Sequence, residues 1–223
     1  MAIYNDGLPK EHCRKIILDR MSERLSSAFT LPSESLTFEQ RLTELNPNIR
    51  LVGAEWDTGV WSRAQEKANR WRLPISIMRG EDLNVLKSAE QQQFQLMWLD
   101  WCGSLTSNRI DYMRRIARGL HSCQYLAVTI LAAREPAGNL PEAYARDRAS
   151  WITTQLRSAA TRRDRHCHPL HIVRYHSHVG DYVSSPMLFM LFQFHESKYP
   201  VLDISDFTRV EHLVSTGRRL VAA

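Results

Sequence analysis

Two rhythms of apolar and polar positions alternate along the chain. Residues 9–25, PKEHCRKIILDRMSERL, place Ile16, Ile17, Met21 and Leu25 near one face and charges on the other, which predicts an amphipathic helix. A short apolar run, SSAFTLP, stops at Pro32 and predicts a first strand. SESLTFEQRLTELN then reads as a helix start, with Thr37 and Gln40 at capping-box spacing and Glu39 in the first turn. Strands follow at 49–57 (IRLVGAEWD), 74–79 (PISIMR), 94–100 (FQLMWLD) and 124–132 (QYLAVTILA). Helical segments separate them, one running to about Trp71 and one from Asn108 to about Leu120. Strands that alternate with helices argue for a parallel sheet covered on both faces.

After Pro141 the pattern is helical to about Ala160. Two extended segments then occur with no helix between them, LHIVRYHSH (170–178) and MLFMLFQFH (187–195). The turn formers of VGDYVSSP join them, which predicts an antiparallel hairpin closing the sheet. The fold expected is α/β, a mostly parallel Rossmann-like sheet flanked by helices. It comprises an N-terminal helical segment, 1–25, and one α/β domain, 26–223.

Composition changes this picture little. Hydrophobic residues make up 43% and charged residues 24% of 223 residues, which suits a globular chain with a buried core. No run approaches the roughly 18 apolar residues of a membrane helix, so no membrane partner is expected. The opening residues lack the apolar core of a signal peptide, so a cytoplasmic location is expected. Four scattered cysteines, with no C-x-x-C pair, read as free thiols in a reducing compartment.

Charge is more suggestive. The net charge is +5 and the pI about 9.2, and 24 of 29 basic residues are Arg. Between Pro141 and Gly180 seven Arg face three acids, with Arg162, Arg163 and Arg165 the tightest group. Such a group reads either as phosphate contacts for nucleic acid or as a solvated loop. Five of nine histidines fall between 166 and 178 with Cys167 among them, but in no standard ligand spacing, so no metal is expected.

The strand ends carry the candidate chemistry, because ligands of open parallel sheets bind beyond the carboxyl ends of the strands. The first strand runs into Leu31-Pro32-Ser33-Glu34-Ser35, the second ends in Glu55-Trp56-Asp57, and Gly80-Glu81-Asp82-Leu83 follow the third. The fourth runs straight into Asp100-Trp101-Cys102-Gly103. Acids thus recur at three successive tips. Polar residues at strand ends are common, so it is their order that gives weight to the series.

Five βα units, a crossing helix and a reversed last strand resemble the class I S-adenosylmethionine-dependent methyltransferases, over roughly residues 26–195. The resemblance implies S-adenosylmethionine as cofactor. Pro32, Ser33 and Glu34 would meet its amino-acid end. Glu55, with Trp56 beside it, would hold the ribose, and Asp82 with Leu83 the adenine. Glu55 lies 23 positions after Pro32, near the interval of about 20 seen in dinucleotide sites. Asp100 would border both cofactor and acceptor. Asp100-Trp101-Cys102-Gly103 is similar to the D-P-aromatic-G loops of enzymes that methylate nitrogen on nucleic-acid bases. That similarity makes Asp100 and Trp101 the candidate catalytic residues, and Trp101, Cys102 and Gly103, with the three arginines, the candidate substrate contacts. Two departures stand out: no glycine follows the first strand, and the loop proline is missing. The function expected is a methyltransferase, with a nucleic-acid base as the preferred acceptor and a protein or small molecule left open. The alternative is a catalytically silent domain of the same fold that binds nucleic acid or a protein.

Overall fold

A computed structural model describes residues 8–20, 25–101, 103–132, 141–179, 182–196, 209–216 and 219–222. The strands are β1 (Ser27–Thr30), β2 (Arg50–Glu55), β3 (Ile75–Arg79), β4 (Leu96–Asp100), β5 (Tyr125–Leu131), β6 (Arg165–Val179), β7 (Tyr182–Glu196), β8 (Arg209–Thr216) and β9 (Arg219–Ala222). They form one nine-stranded sheet in the order β3-β2-β1-β4-β5-β7-β6-β8-β9. The first five are mutually parallel, and β7 runs antiparallel to both β5 and β6. The fold class is the expected one, and the β6–β7 hairpin is as the turn sequence predicts. The hairpin of β8 and β9, which extends the sheet past β6, is not foreseen by the hydrophobic pattern.

Burial explains the strand sequences. In β4, Leu96 and Trp98 point into one core while Met97 and Leu99 point into the other. A central strand buried on both faces reads as a continuous apolar run. Edge strand β3 alternates instead, with Ile75 and Ile77 buried and Ser76 exposed. Helices α1 (Leu8–Arg20), α2 (Thr37–Leu45) and α3 (Thr58–Trp71) cover one face. The other face is covered by α4 (Asp82–Ser88), α5 (Ser107–Ala117), α6 (Glu142–Arg146) and α7 (Arg148–Thr161).

Local chemistry sets the helix ends. Asp57 caps α3, accepting from Val60 N–H at 2.9 Å. Asp147 caps α7 through Ser150 N–H at 3.2 Å and so divides the single helix expected after Pro141. The capping box expected at Thr37 and Gln40 does not form. Leu36, at φ 51°, starts α2 without a side-chain cap, and Gln40 instead donates to Glu44 at 3.0 Å. Cys13, Cys123 and Cys167 are buried free thiols.

Candidate functional site

Strand order reverses between β1 and β4: β2 and β3 lie to one side, β5 and β7 to the other. A crevice opens beyond the carboxyl ends of strands at such a point. Here it is a cleft open to solvent. Pro32, Ser33, Glu55, Trp56, Asp82, Asp100 and Trp101 all line it. The fold therefore gathers seven of the fourteen sequence-derived candidates, from four strand ends.

The loop after β1 uses shape where glycine is absent. The Pro32 ring lies over Gly53 of β2, where a Cβ would stand only 2.8 Å from its Cγ. Gly53 is thus what lets the ring settle against the sheet. Ser33 Oγ lies 2.7 Å from Ser35 Oγ, which ties the loop to itself. At the tip of β2, Glu55 is buried and accepts from Asp57 N–H at 2.8 Å. Burial holds its carboxyl above the usual value. Trp56 beside it is 66% exposed. Asp82 opens α4 and accepts the indole N–H of Trp101. The Arg109 guanidinium covers the Trp101 ring at 4.8 Å from its centroid and donates to Ser104 O at 2.9 Å. Trp101 is itself only 8% exposed, so it is no open platform for a base.

Asp100 is occupied too. Lys10 Nζ of α1 lies 2.6 Å from Asp100 Oδ2, and both side chains are largely buried. Arg14, one turn further along α1, and Glu39 of α2 also line the cleft, each 3% exposed. Burial pushes the Glu39 carboxyl up. The sequence reading misses Lys10, Arg14, Glu39 and Arg109. Spacing does put Lys10 and Arg14 on one side of a helix, but nothing local reveals that this side meets strand ends far along the chain.

Other candidates lie elsewhere. Glu34 is exposed and pairs with Arg63 at 2.6 Å. Leu83 packs against the core under α4. Gly103 spends its carbonyl on Leu131 N–H at 2.9 Å. Cys102 lies outside the described residues. The three arginines sit at the opposite end of the sheet: Arg165 pairs in register with Glu196, near the amino end of β5, whereas Asp100 faces Thr129 toward its carboxyl end. Arg165 donates to the carbonyls of Ile116 and Ala117 at 3.1 Å and of Cys123 at 2.7 Å. Arg162 lines a shallow groove between α5 and α7 with Arg114, Arg115 and Arg118. Phosphate contacts there would be remote from the cleft. Among the histidines, His168 and His195 stack at 4.8 Å, with His166 at 5.4 Å from His195. Among the described residues no three His, Cys, Asp or Glu are grouped to hold a metal. No described helix is long and apolar enough to cross a membrane.

Comparison with known proteins bears on the fold. No protein-family model matches the sequence, and no curated protein matches it. Solved structures do match. The precorrin-6Y C5,15-methyltransferase of Geobacter metallireducens GS-15 aligns with a TM-score of 0.52 at 11% identity, over 86% of this chain and 94% of that one. A candidate O-methyltransferase from Klebsiella pneumoniae gives 0.55 at 12%, over 86% and 83%. The methyltransferase domain of bacterial CtHen1 gives 0.51 at 14%, over 84% and 98%. The chain has the Rossmann-like fold of the class I methyltransferases.

Proposed function

We propose that the protein is an S-adenosylmethionine-dependent methyltransferase working in this cleft. The observation that carries the reading is the convergence of Glu55, Asp82 and Asp100, from three strand ends, on one crevice at the sheet's switch point. The donor set suits that cofactor. Glu55 offers a carboxylate to the ribose hydroxyls, Leu31 and Ala54 offer apolar wall to the purine, and the acids favour a sulfonium cation. When bound, the cofactor supplies an electrophilic methyl group. The protein's own part is placement. Glu55 and Asp82 fix the nucleoside, and Asp100, where cofactor and acceptor meet, orients the nucleophile with the oxygen that the cofactor does not engage.

For the acceptor, we propose a nucleic-acid base, in keeping with the net charge of +5. Its stacking partner is then the outer face of Arg109 rather than Trp101, because the guanidinium already covers the indole. A silent domain of the same fold is the rival reading, favoured by the Lys10–Asp100 pair that occupies the cleft.

Calorimetric titration with S-adenosylmethionine and S-adenosylhomocysteine separates the two. Wild type should bind both, and Glu55→Ala should weaken binding by about 1–3 kcal/mol, the cost of a lost charge-assisted acceptor. No heat at millimolar ligand would leave only the silent domain.

A further inference from the structure

The cleft holds two cations and two acids that the reading above does not fully use. Lys10 and Arg14 come from one side of α1, one turn apart, and Asp100 and Glu39 line the same cleft, Asp100 paired with Lys10 and Glu39 within the field of both cations. The burial is severe: side-chain exposures are 13% for Lys10 and 6% for Asp100. Charges taken out of water are costly even when paired. A fold that keeps an ion pair, a second cation and a further carboxyl at the rim of a ligand crevice has them poised for an exchange of partners. Their helix is also fixed from its far side. His12 Nε2 lies 2.7 Å from Glu211 Oε2 of β8, and Arg20 Nε donates to His171 Nε2 of β6 at 3.3 Å. These contacts hold α1 over the cleft.

A ligand that brings one carboxylate and one ammonium on the same carbon matches this set. Lys10 and Arg14 would take the carboxylate, and Asp100, with Glu39 behind it, would take the ammonium. Each buried charge then keeps an opposite partner when the Lys10–Asp100 pair opens. We propose that Lys10, Arg14, Glu39 and Asp100 form a clamp for an α-amino-acid group, here the amino-acid end of the methyl donor. The clamp rests on the methyl-donor reading. It supplies by side-chain charge from α1 what a backbone turn without glycine after β1 does not offer. Cofactor binding thereby depends on the docking of α1.

The test is calorimetry on the full chain with two ligands. S-adenosylhomocysteine carries the amino-acid end, and 5′-methylthioadenosine lacks it. Wild type should prefer the first by about thirtyfold or more, the scale of two charge-assisted contacts. Lys10→Met and Arg14→Met should each weaken S-adenosylhomocysteine about tenfold, leaving 5′-methylthioadenosine within about twofold. Lys10→Arg, which keeps the charge, should restore most of the preference. Equal loss for both ligands would reduce Lys10 to a structural residue and overturn the clamp. Equal affinity of wild type for both ligands would also overturn it while leaving the methyl-donor reading intact. Binding of neither would remove that reading, and the clamp with it.

Discussion

Glu39 shows how much one side chain can cost its own fold. It is a carboxyl in the first turn of α2, 3% exposed, and its affinity for a proton is raised chiefly by burial. The sign follows from linkage. The folded state holds this proton at pH values where the unfolded chain has released it, so unfolding stability falls as pH rises from about 4.5 through the raised value. Glu39→Gln removes the ionisable group and keeps the shape. Urea denaturation should find the variant more stable than wild type at pH 8 and little different at pH 4. A variant less stable at pH 8 would mean that the charge of Glu39 is fully compensated in place. In the sequence Glu39 is visible only as a helix-start acid suited to the helix dipole. Its surroundings, Thr30 of β1 and Arg14 and Lys10 of α1, are brought to it by tertiary packing, which no local pattern encodes.

At the scale of elements, side chains that look like ligand contacts also serve as joints. Arg165 donates to three carbonyls, two of them at the end of α5, and so binds the start of β6 to that helix. Losing a charged donor from half-buried carbonyls should cost about 2–4 kcal/mol. Chemical denaturation of Arg165→Met should show that loss, while Arg162→Gln and Arg163→Gln, at exposed sites, should stay within about 0.5 kcal/mol of wild type. A neutral Arg165→Met would remove the joint. The sequence shows these arginines as a run and cannot separate the one turned inward. Elements long enough to show a period are legible: β2, β4, β5, α3 and α7 lie within a few residues of the pattern. The misses have physical causes. The seven residues of α4 make barely two turns, too few for a helical rhythm. The hairpin of β8, eight residues, and β9, four, has polar residues interspersed among its apolar ones, and it gains its place by adding to the edge of β6.

For the molecule as a whole, strand order turns scattered motifs into one site. Asp82 and Asp100 are far apart in sequence, yet Trp101 links them, donating to Asp82 from the residue after Asp100. The acids were legible because a parallel sheet puts its loops at one end, so that tip residues converge whatever their separation. The opposing charges of Lys10 and Arg14 were not, because α1 precedes the sheet and reaches the cleft only through tertiary packing against the face shared with α2 and α3. The same topology moves Arg162, Arg163 and Arg165 away from the cleft. Crossover helices return to the amino end of the sheet, and α7 leaves the arginines there.

The most direct measurement is a crystal structure of the protein grown with saturating S-adenosylhomocysteine. Ligand density is expected across the carboxyl ends of β1 and β4, with the ribose hydroxyls on Glu55, the adenine beside Asp82, and Lys10 withdrawn from Asp100 to the ligand carboxylate. Density at any other place, or a Lys10–Asp100 pair still closed over an empty cleft, would contradict this expectation.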